Sequence, residues 1–143
     1  VAALRIFPKA GDYEFTGEIA FPDGATGELK GEFALKWVDG RYIVQQGDPP
    51  GPIASLLEII EYDAASGTYR KHQLADGKLM SVHVGTRIGE TRAIAWMDMS
   101  HAGGGDTLAT EIYGDEGGTA RILLFQGGNL LHSQSIEAKR KVP

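Results

Sequence analysis

The sequence predicts an all-β protein, an antiparallel up-and-down (meander) β-barrel of about ten short strands. Two observations predict this fold. Apolar and polar residues alternate over much of the chain, as they do in strands that bury one face. Short turn signals separate the alternating runs, among them Asp39-Gly40, Asp76-Gly77 and Gly127-Gly128, and such signals favour hairpins.

Closure of the sheet follows from the order of the hairpins. A sheet built of consecutive hairpins leaves two strand edges exposed, and a barrel removes both of them. A β-sandwich is the alternative, but its crossovers usually need longer connections than most of those seen here. A barrel of about ten strands has more interior than its own side chains readily fill, so it can hold one small ligand.

Length and charge limit the classes of protein. The chain has 143 residues, so we expect one domain over residues 1–143. The net charge of −5 and the scattered basic residues argue against nucleic acid binding, which needs concentrated Lys and Arg. No run of about twenty apolar residues occurs, so we predict no membrane span. No cysteine is present, which excludes disulfides. Composition assigns neither a compartment nor an oligomeric state.

The first two hairpins come early in the chain. Residues 1–10 are short and largely apolar, so we expect a helical turn or a segment that lies across one end of the barrel. Strict alternation begins at Gly11 and predicts a half-buried strand. The next strand ends at Asp39-Gly40, and a two-residue type I′ loop there pairs Trp37 with Tyr42 and Leu35 with Val44.

Residues 57–84 form the central meander of three predicted strands. A loop at residues 64–67 pairs Tyr62 with Tyr69 and Ile60 with Lys71. A type I′ loop at Asp76-Gly77 is expected to pair Gln73 with Met80 and Lys71 with Val82. These registers predict an inner face made of Glu58, Ile60, Tyr62, Tyr69, Lys71, Gln73, Met80, Val82 and Val84. They predict an outer face made of Glu61, Arg70, His72, Ser81 and His83.

The last four strands continue the meander. Residues 92–98 are predicted to turn Ile94 and Trp96 inward. Residues 107–113, 119–126 and 129–138 complete the set, and the last two strands share the Gly127-Gly128 hairpin. His132 follows that hairpin, and the pattern leaves open whether it faces inward or outward.

A binding pocket inside the barrel is the main functional prediction. Its predicted lining is Trp37, Tyr42, Glu58, Ile60, Tyr62, Tyr69, Lys71, Met80 and Trp96. Glu58 and Lys71 are charged, and buried charges are costly unless they are paired. They could orient the polar end of a ligand, or form a salt bridge with each other near the barrel rim. The aromatic side chains could line a pocket or simply fill the core.

Catalytic and metal motifs are missing from the sequence. It contains neither a Gly-X-Ser-X-Gly elbow nor a His-Glu-X-X-His run, and no helix follows its glycine pairs. His72 and His83 are predicted to face outward without a carboxylate in register, which is weak for a metal site. We therefore predict no catalytic residue, no metal and no cofactor. Barrel pockets do host enzymes that need only one or two polar groups, so catalysis stays open.

Three short runs carry a family resemblance: WVDGRY at residues 37–42, EIIEYD at 58–63 and TYR at 68–70. With Gly31, they resemble uncharacterised bacterial domains with a lipocalin-like (calycin) barrel. Those families often show a Gly-Arg-aromatic run in an early hairpin and a Tyr-Asp turn followed by a second Tyr. Lipocalins proper carry Gly-X-Trp on the first strand and a late Arg that packs on the Trp. This chain has Gly11-Asp12-Tyr13 and Arg140.

The resemblance implies a barrel that can hold an internal pocket, and it implies no reaction. The function that we predict is binding of a small apolar or amphipathic molecule. One alternative is a haem-binding barrel resembling the nitrobindins, which carry an axial histidine late in the chain, as His132 is here. The other alternative is a filled barrel that acts as a structural or interaction domain.

Overall fold

Ten antiparallel strands close into one barrel in the computed structural model, which describes residues 2–47, 54–98 and 105–142. Each strand pairs with the next along the chain, and the last pairs with the first, so the described sheet has no free edge. This confirms the predicted all-β antiparallel meander barrel. The strands are β1 (Gly11–Ala20), β2 (Thr26–Val38), β3 (Arg41–Gln46), β4 (Leu56–Asp63), β5 (Thr68–Ala75), β6 (Lys78–Arg87), β7 (Ala93–Asp98), β8 (Gly105–Gly114), β9 (Gly117–Gln126) and β10 (Asn129–Arg140).

The Asp-Gly turns have the predicted conformation. Asp39 and Gly40 have φ values of 48° and 76°, and Asp76 and Gly77 have 49° and 80°. Positive φ at both central residues defines a type I′ turn. The first turn pairs Trp37 with Tyr42 across β2 and β3, and the two rings meet edge to face at 4.9 Å.

The predicted register of the central meander is wrong for one of its three strands, β6. Strands β4 and β5 pair as predicted, but a β-bulge near the Asp76-Gly77 turn shifts β6. Gln73 therefore faces Ser81 and Lys71 faces His83, so their predicted pairing with Met80 and Val82 is wrong. A shift of one residue moves every side chain to the other face.

The faces of β6 are consequently reversed. Ser81 and His83 point into the barrel with Lys71, and both are buried. Val82 and Val84 lie on the outer wall. Met80 is the unpaired residue at the bulge and is 44% exposed, so its assignment to the inner face is corrected. His72 lies on the outer face, as predicted, and therefore does not share a face with His83.

The N-terminal segment closes one end of the barrel. A 3-10 helix spans Ala2–Ile6, and no helix in the described ranges is long and apolar enough to cross a membrane. We call residues 2–10 the plug. Three inward tyrosine hydroxyls donate hydrogen bonds to plug carbonyls: Tyr69 to Ala3 at 2.6 Å, Tyr42 to Pro8 at 2.8 Å, and Tyr13 to Lys9 at 2.6 Å. Burial raises the pKa of each phenol, which keeps these donors protonated.

Arg92 fastens the plug from outside the strands. Its Nε donates to the Ile6 carbonyl at 3.0 Å, and its Nη1 forms an ion pair with Asp115 at 2.7 Å. The Asp115 carbonyl in turn accepts a hydrogen bond from the Lys9 amide at 2.9 Å. Since buried backbone groups need partners, these bonds determine where the plug lies.

Phe7 anchors the plug in the hydrophobic core. Its ring stacks on Tyr42 at 4.8 Å and contacts Tyr69 and Tyr113 at 5.7 and 4.9 Å. The buried core gathers at this end of the barrel and consists of Leu4, Ile6, Phe7, Tyr13, Leu35, Tyr42, Ile60, Tyr69, Ile94 and Trp96. The plugged end is thus the packed end.

Phe7→Ala should lower the free energy of unfolding by roughly 3–5 kcal/mol, the usual cost of removing a buried phenyl ring. Phe7 is 4% exposed, whereas Phe21 is 41% exposed, so Phe21→Ala serves as the matched control. The control should cost about 1 kcal/mol or less. Urea denaturation measures both values, and equal losses would contradict the anchoring role of Phe7.

Gly77→Ala should lower the free energy of unfolding by about 1–2 kcal/mol, because an L-residue resists the left-handed conformation. A methyl group would meet no atom within 4 Å at Gly77 or at Gly47. Gly47 lacks the left-handed φ, so Gly47→Ala is the control for side-chain size. If both variants keep the wild-type denaturation midpoint, the type I′ turn contributes nothing to stability.

Candidate functional site

The space inside the barrel beyond the plug, here called the lumen, is incompletely filled. Strand register turns a set of apolar side chains inward, yet all of them remain only half-buried. In a filled barrel, inward residues in the middle of a strand would be fully buried. These half-buried residues are Phe15, Ile19, Leu29, Ala120, Ile122, Leu124 and Ile136.

A polar cluster lies in the lumen close to the plug. Its centre is Lys71, which is 5% exposed and forms an ion pair with Glu111 at 3.2 Å. The Lys71 ammonium also lies 4.2 Å from the centre of the Trp96 ring, within cation–π range. Gly85 leaves room for this indole, since a Cβ there would come within 2.6 Å of the ring. Lys71 thus has two favourable electrostatic partners.

Tyr113 links the cluster to the aromatic core. Its hydroxyl donates to Oε2 of Glu111 and accepts a hydrogen bond from Trp96 Nε1 at 3.3 Å. Burial and the neighbouring Glu111 carboxylate raise the pKa of Tyr113 well above its ordinary value. Because the same ring contacts Phe7 in the plug, the plug helps to position Glu111.

Lys71 is held as an ammonium. Burial by itself would lower its pKa, but the carboxylates of Glu111 and Glu58 outweigh burial and raise the pKa above the ordinary value. The pKa of His83 moves the other way, because burial and the nearby Lys71 charge lower it. At neutral pH, His83 is therefore an uncharged imidazole.

A directed hydrogen-bond chain forms the other half of the cluster. Gln73 Nε2 donates to Glu58 at 2.6 Å, and Ser81 Oγ donates to Gln73 Oε1 at 2.6 Å. Ser81 Oγ lies 3.2 Å from His83 Nε2. Since Ser81 has given its single proton to Gln73, the His83 contact requires a proton on Nε2. The chain runs from His83 to the Glu58 carboxylate.

The predicted lining residues divide by position. Tyr42, Ile60, Tyr69 and Trp96 are buried in the core around the plug. Two others lie at the same end, where Trp37 is 42% exposed and Tyr62 is half-buried against Tyr69. Glu58 and Lys71 face the lumen, but Lys71 pairs with Glu111 rather than with Glu58. Met80 lies at the bulge and is exposed. Their roles in ligand binding stay predictions.

Sequence reasoning missed Glu111, Tyr113, Ser81 and His83. The register of β8 turns Glu111 inward, opposite Ala120 of β9. Its neighbours Leu108 and Ile112 are more apolar, yet they lie on the outer wall and are exposed. The inner face of β8 is thus more polar than its outer face, so choosing the apolar face as the inner one fails on this strand. Ala109, Glu111 and Tyr113 occupy alternate positions of β8 and therefore share a face. Assigning Ala109 and Tyr113 to the inner face is the one sequence signal that could have placed Glu111 there as well.

His132 faces the lumen from β10, opposite Leu124 of β9. Its Nδ1 is buried and has no hydrogen-bond partner among the described residues. The Phe21 ring contacts the imidazole edge to face, with centroids 5.9 Å apart. In the described part of the chain, no group of three or more His, Asp or Glu side chains is arranged to hold a metal ion.

A separate groove of about 870 Å³ lies on the outer wall rather than in the lumen. Outward residues of β6 to β9 form most of it, including Val84, Ala95, Met97, Leu108 and Leu123. Trp96, which contacts Lys71 in the polar cluster, also borders this groove. An apolar molecule therefore has two distinct places where it could bind, and an experiment must separate them.

Lys71→Met should destabilise the protein by about 3 kcal/mol, because it leaves Glu111 beside Glu58 without a counter-charge. The value is at the lower end for a buried pair since the Glu111 side chain is 21% exposed. Adding Glu111→Gln should recover part of the loss, and urea denaturation of the double-mutant cycle measures the coupling.

Arg41→Met is the control for this cycle. Arg41 and Glu61 are 3.5 Å apart with side chains 51% and 44% exposed, so their ion pair contributes about 1 kcal/mol or less. Additive losses for Lys71→Met and Glu111→Gln would contradict a coupled pair in the lumen.

Comparison with known proteins identifies no family for this chain, so a functional proposal has to rest on the fold and the lumen. No protein-family model matches this sequence, and no curated protein matches it. The closed barrel of ten described strands is compatible with a calycin-like fold. Tyr13 and Arg140 are register partners across β1 and β10. Membership in the lipocalin-like families stays a prediction.

Proposed function

We propose that the protein binds a small amphipathic molecule in the barrel lumen. The observation that carries the proposal is the row of inward apolar side chains that stay half-buried although they point into a closed barrel. Unfilled apolar space of this kind gains free energy when a ligand covers it, by about 25 cal/mol per Å². The apolar part of the ligand would contact β1, β2, β9 and β10.

The polar part of the ligand would meet the polar cluster near the plug. Glu58, Lys71 and Glu111 lie on β4, β5 and β8, so the charged residues occupy the β4 to β8 side of the barrel, which adjoins the more apolar side at β9. Ligand pockets typically combine an apolar lining with a few polar groups that fix orientation. Lys71 would act as a fixed charge, since an ammonium with a raised pKa is a poor nucleophile and base.

The two alternatives have less support. A filled barrel would bury its inward side chains more completely than Ile122 and Leu124 are buried. The haem hypothesis is supported by His132, which faces the lumen from β10 and whose buried Nδ1 has no hydrogen-bond partner among the described residues. Against it, haem carries two propionates, and the one lysine of the described lumen is already paired with Glu111. We therefore favour the amphipathic ligand.

A neutral environment-sensitive dye, N-phenyl-1-naphthylamine, should bind the wild-type protein and gain fluorescence. Ala120 is a half-buried inward residue of β9, and Ala120→Trp should fill the lumen and reduce dye affinity at least tenfold. Ala95→Trp is the matched control, because Ala95 is exposed on the outer groove. It should leave the affinity unchanged.

Three results distinguish the sites. Loss of dye binding in Ala95→Trp alone would place the dye in the outer groove and contradict the proposal. No binding by the wild type would favour the filled barrel. A Soret band in protein purified from its own host, lost in His132→Ala, would favour haem. Circular dichroism should verify that both tryptophan variants keep the strand content of the wild type.

A further inference from the structure

The charges of the described lumen do not balance. Glu58 and Glu111 face it with carboxylates, and Asp98 is a third acidic residue buried on the same side. Lys71 is the one lysine or arginine inside it, since Arg87 and Arg140 lie at the plugged end of their strands and are exposed. Asp98 has other contacts, and with Asp98 left aside, two carboxylates still share one ammonium.

His83 does not make up the difference. It is 6% exposed, and both burial and the Lys71 charge lower its pKa, so it stays uncharged at neutral pH. Its one assigned proton points to Ser81 along the chain that ends at Glu58. The hydrogen bonds from Gln73 and Tyr113 partly satisfy the carboxylates but add no charge. A net negative charge therefore remains on two half-buried carboxylates that share one counter-charge, which is unfavourable.

Both carboxylates can still accept hydrogen bonds from the lumen. Glu58 and Glu111 are half-buried rather than buried, and the Glu111 side chain is 21% exposed. An ionised carboxylate offers about four lone-pair sites, and the protein uses only some of them on each residue. Gln73 donates to Oε2 of Glu58, while Lys71 and Tyr113 divide the two oxygens of Glu111. An added N–H donor would find acceptors here.

We propose that the polar end of the ligand is a cation of the ammonium type, bound beside Glu58 and Glu111, with the apolar tail directed away from the plug. This inference rests on the proposed function of the lumen and names the class of molecule that it takes. A single positive charge would neutralise the excess of the two carboxylates over Lys71. A carboxylate head group would add a third negative charge to the same space, where like charges repel strongly.

Displacement of N-phenyl-1-naphthylamine by three amphiphiles of the same carbon number tests the proposal. Dodecylammonium, dodecanol and dodecanoate each have a twelve-carbon chain that ends in a different polar group, and each is used below its micelle concentration or, for dodecanol, below its solubility limit. We expect dodecylammonium to compete at least roughly tenfold better than dodecanol, the size of effect that one charge-assisted hydrogen bond produces. Dodecanoate should be the weakest competitor.

Charge-removing variants locate the preference. Glu58→Gln and Glu111→Gln should each reduce the advantage of dodecylammonium over dodecanol, because each removes one acceptor charge without changing side-chain shape. Glu137→Gln is the control, since Glu137 is exposed on the outer face of β10 and its loss changes the net charge equally. An equal reduction in the control would show that the overall charge of the protein sets the preference and would overturn the assignment.

The outcomes separate this inference from the proposed function. If dodecanoate or dodecanol competes as well as dodecylammonium, the cationic head group is wrong, while lumen binding stands. If Ala120→Trp leaves the dye affinity unchanged, both proposals fail together. The order in which the three amphiphiles compete for the wild-type protein decides the inference even if Glu58→Gln or Glu111→Gln proves too unstable to assay.

Discussion

The hydrogen bonds between tyrosine hydroxyls and plug carbonyls are the constraint on which the rest of the structure depends. Tyr13, Tyr42 and Tyr69 come from β1, β3 and β5, and each would leave a poorly solvated hydroxyl if the plug were elsewhere. Together with Arg92, they hold Phe7 against Tyr42 in the core. The plug gives one end of the barrel a packed core and leaves the remaining length to the lumen. It also supports Tyr113, and through Tyr113 the Glu111 carboxylate.

The polar cluster is tolerated near this core because its groups are paired. Lys71 combines an ion pair with Glu111 and a contact with the Trp96 ring, which together offset the cost of burial. Glu58 is stabilised differently, through a chain of neutral side chains that ends in uncharged His83. The two carboxylates therefore differ in local chemistry although they face the same space. The lumen is therefore lined by apolar side chains on one side and by charged side chains on the other.

Turn chemistry and alternation predicted much of this fold, and they failed where the inner face is polar. Asp39-Gly40 and Asp76-Gly77 adopt the predicted turns because few other dipeptides tolerate positive φ at both positions. The bulge after Asp76-Gly77 has no such signature, so the faces of β6 were predicted in reverse. Met80, Val82 and Val84 form the more apolar set and were expected inside, whereas Ser81 and His83 are inside. Glu111 was missed because the inner face of β8 is also polar. Its ion-pair partner Lys71 lies on β5, and local alternation does not connect these two strands.

Pairing of the first strand with the last has a consequence for synthesis on the ribosome. The β1–β2 hairpin can form early, but the other edge of β1 stays open until β10 has been made, over one hundred residues later along the chain. An open edge invites pairing with the nascent chains of neighbouring ribosomes. The outward side chains of β1 include Asp12, Glu14 and Glu18, which are exposed and all negatively charged. Identical β1 edges on two nascent chains would therefore repel each other until β10 has been synthesised and can pair with β1.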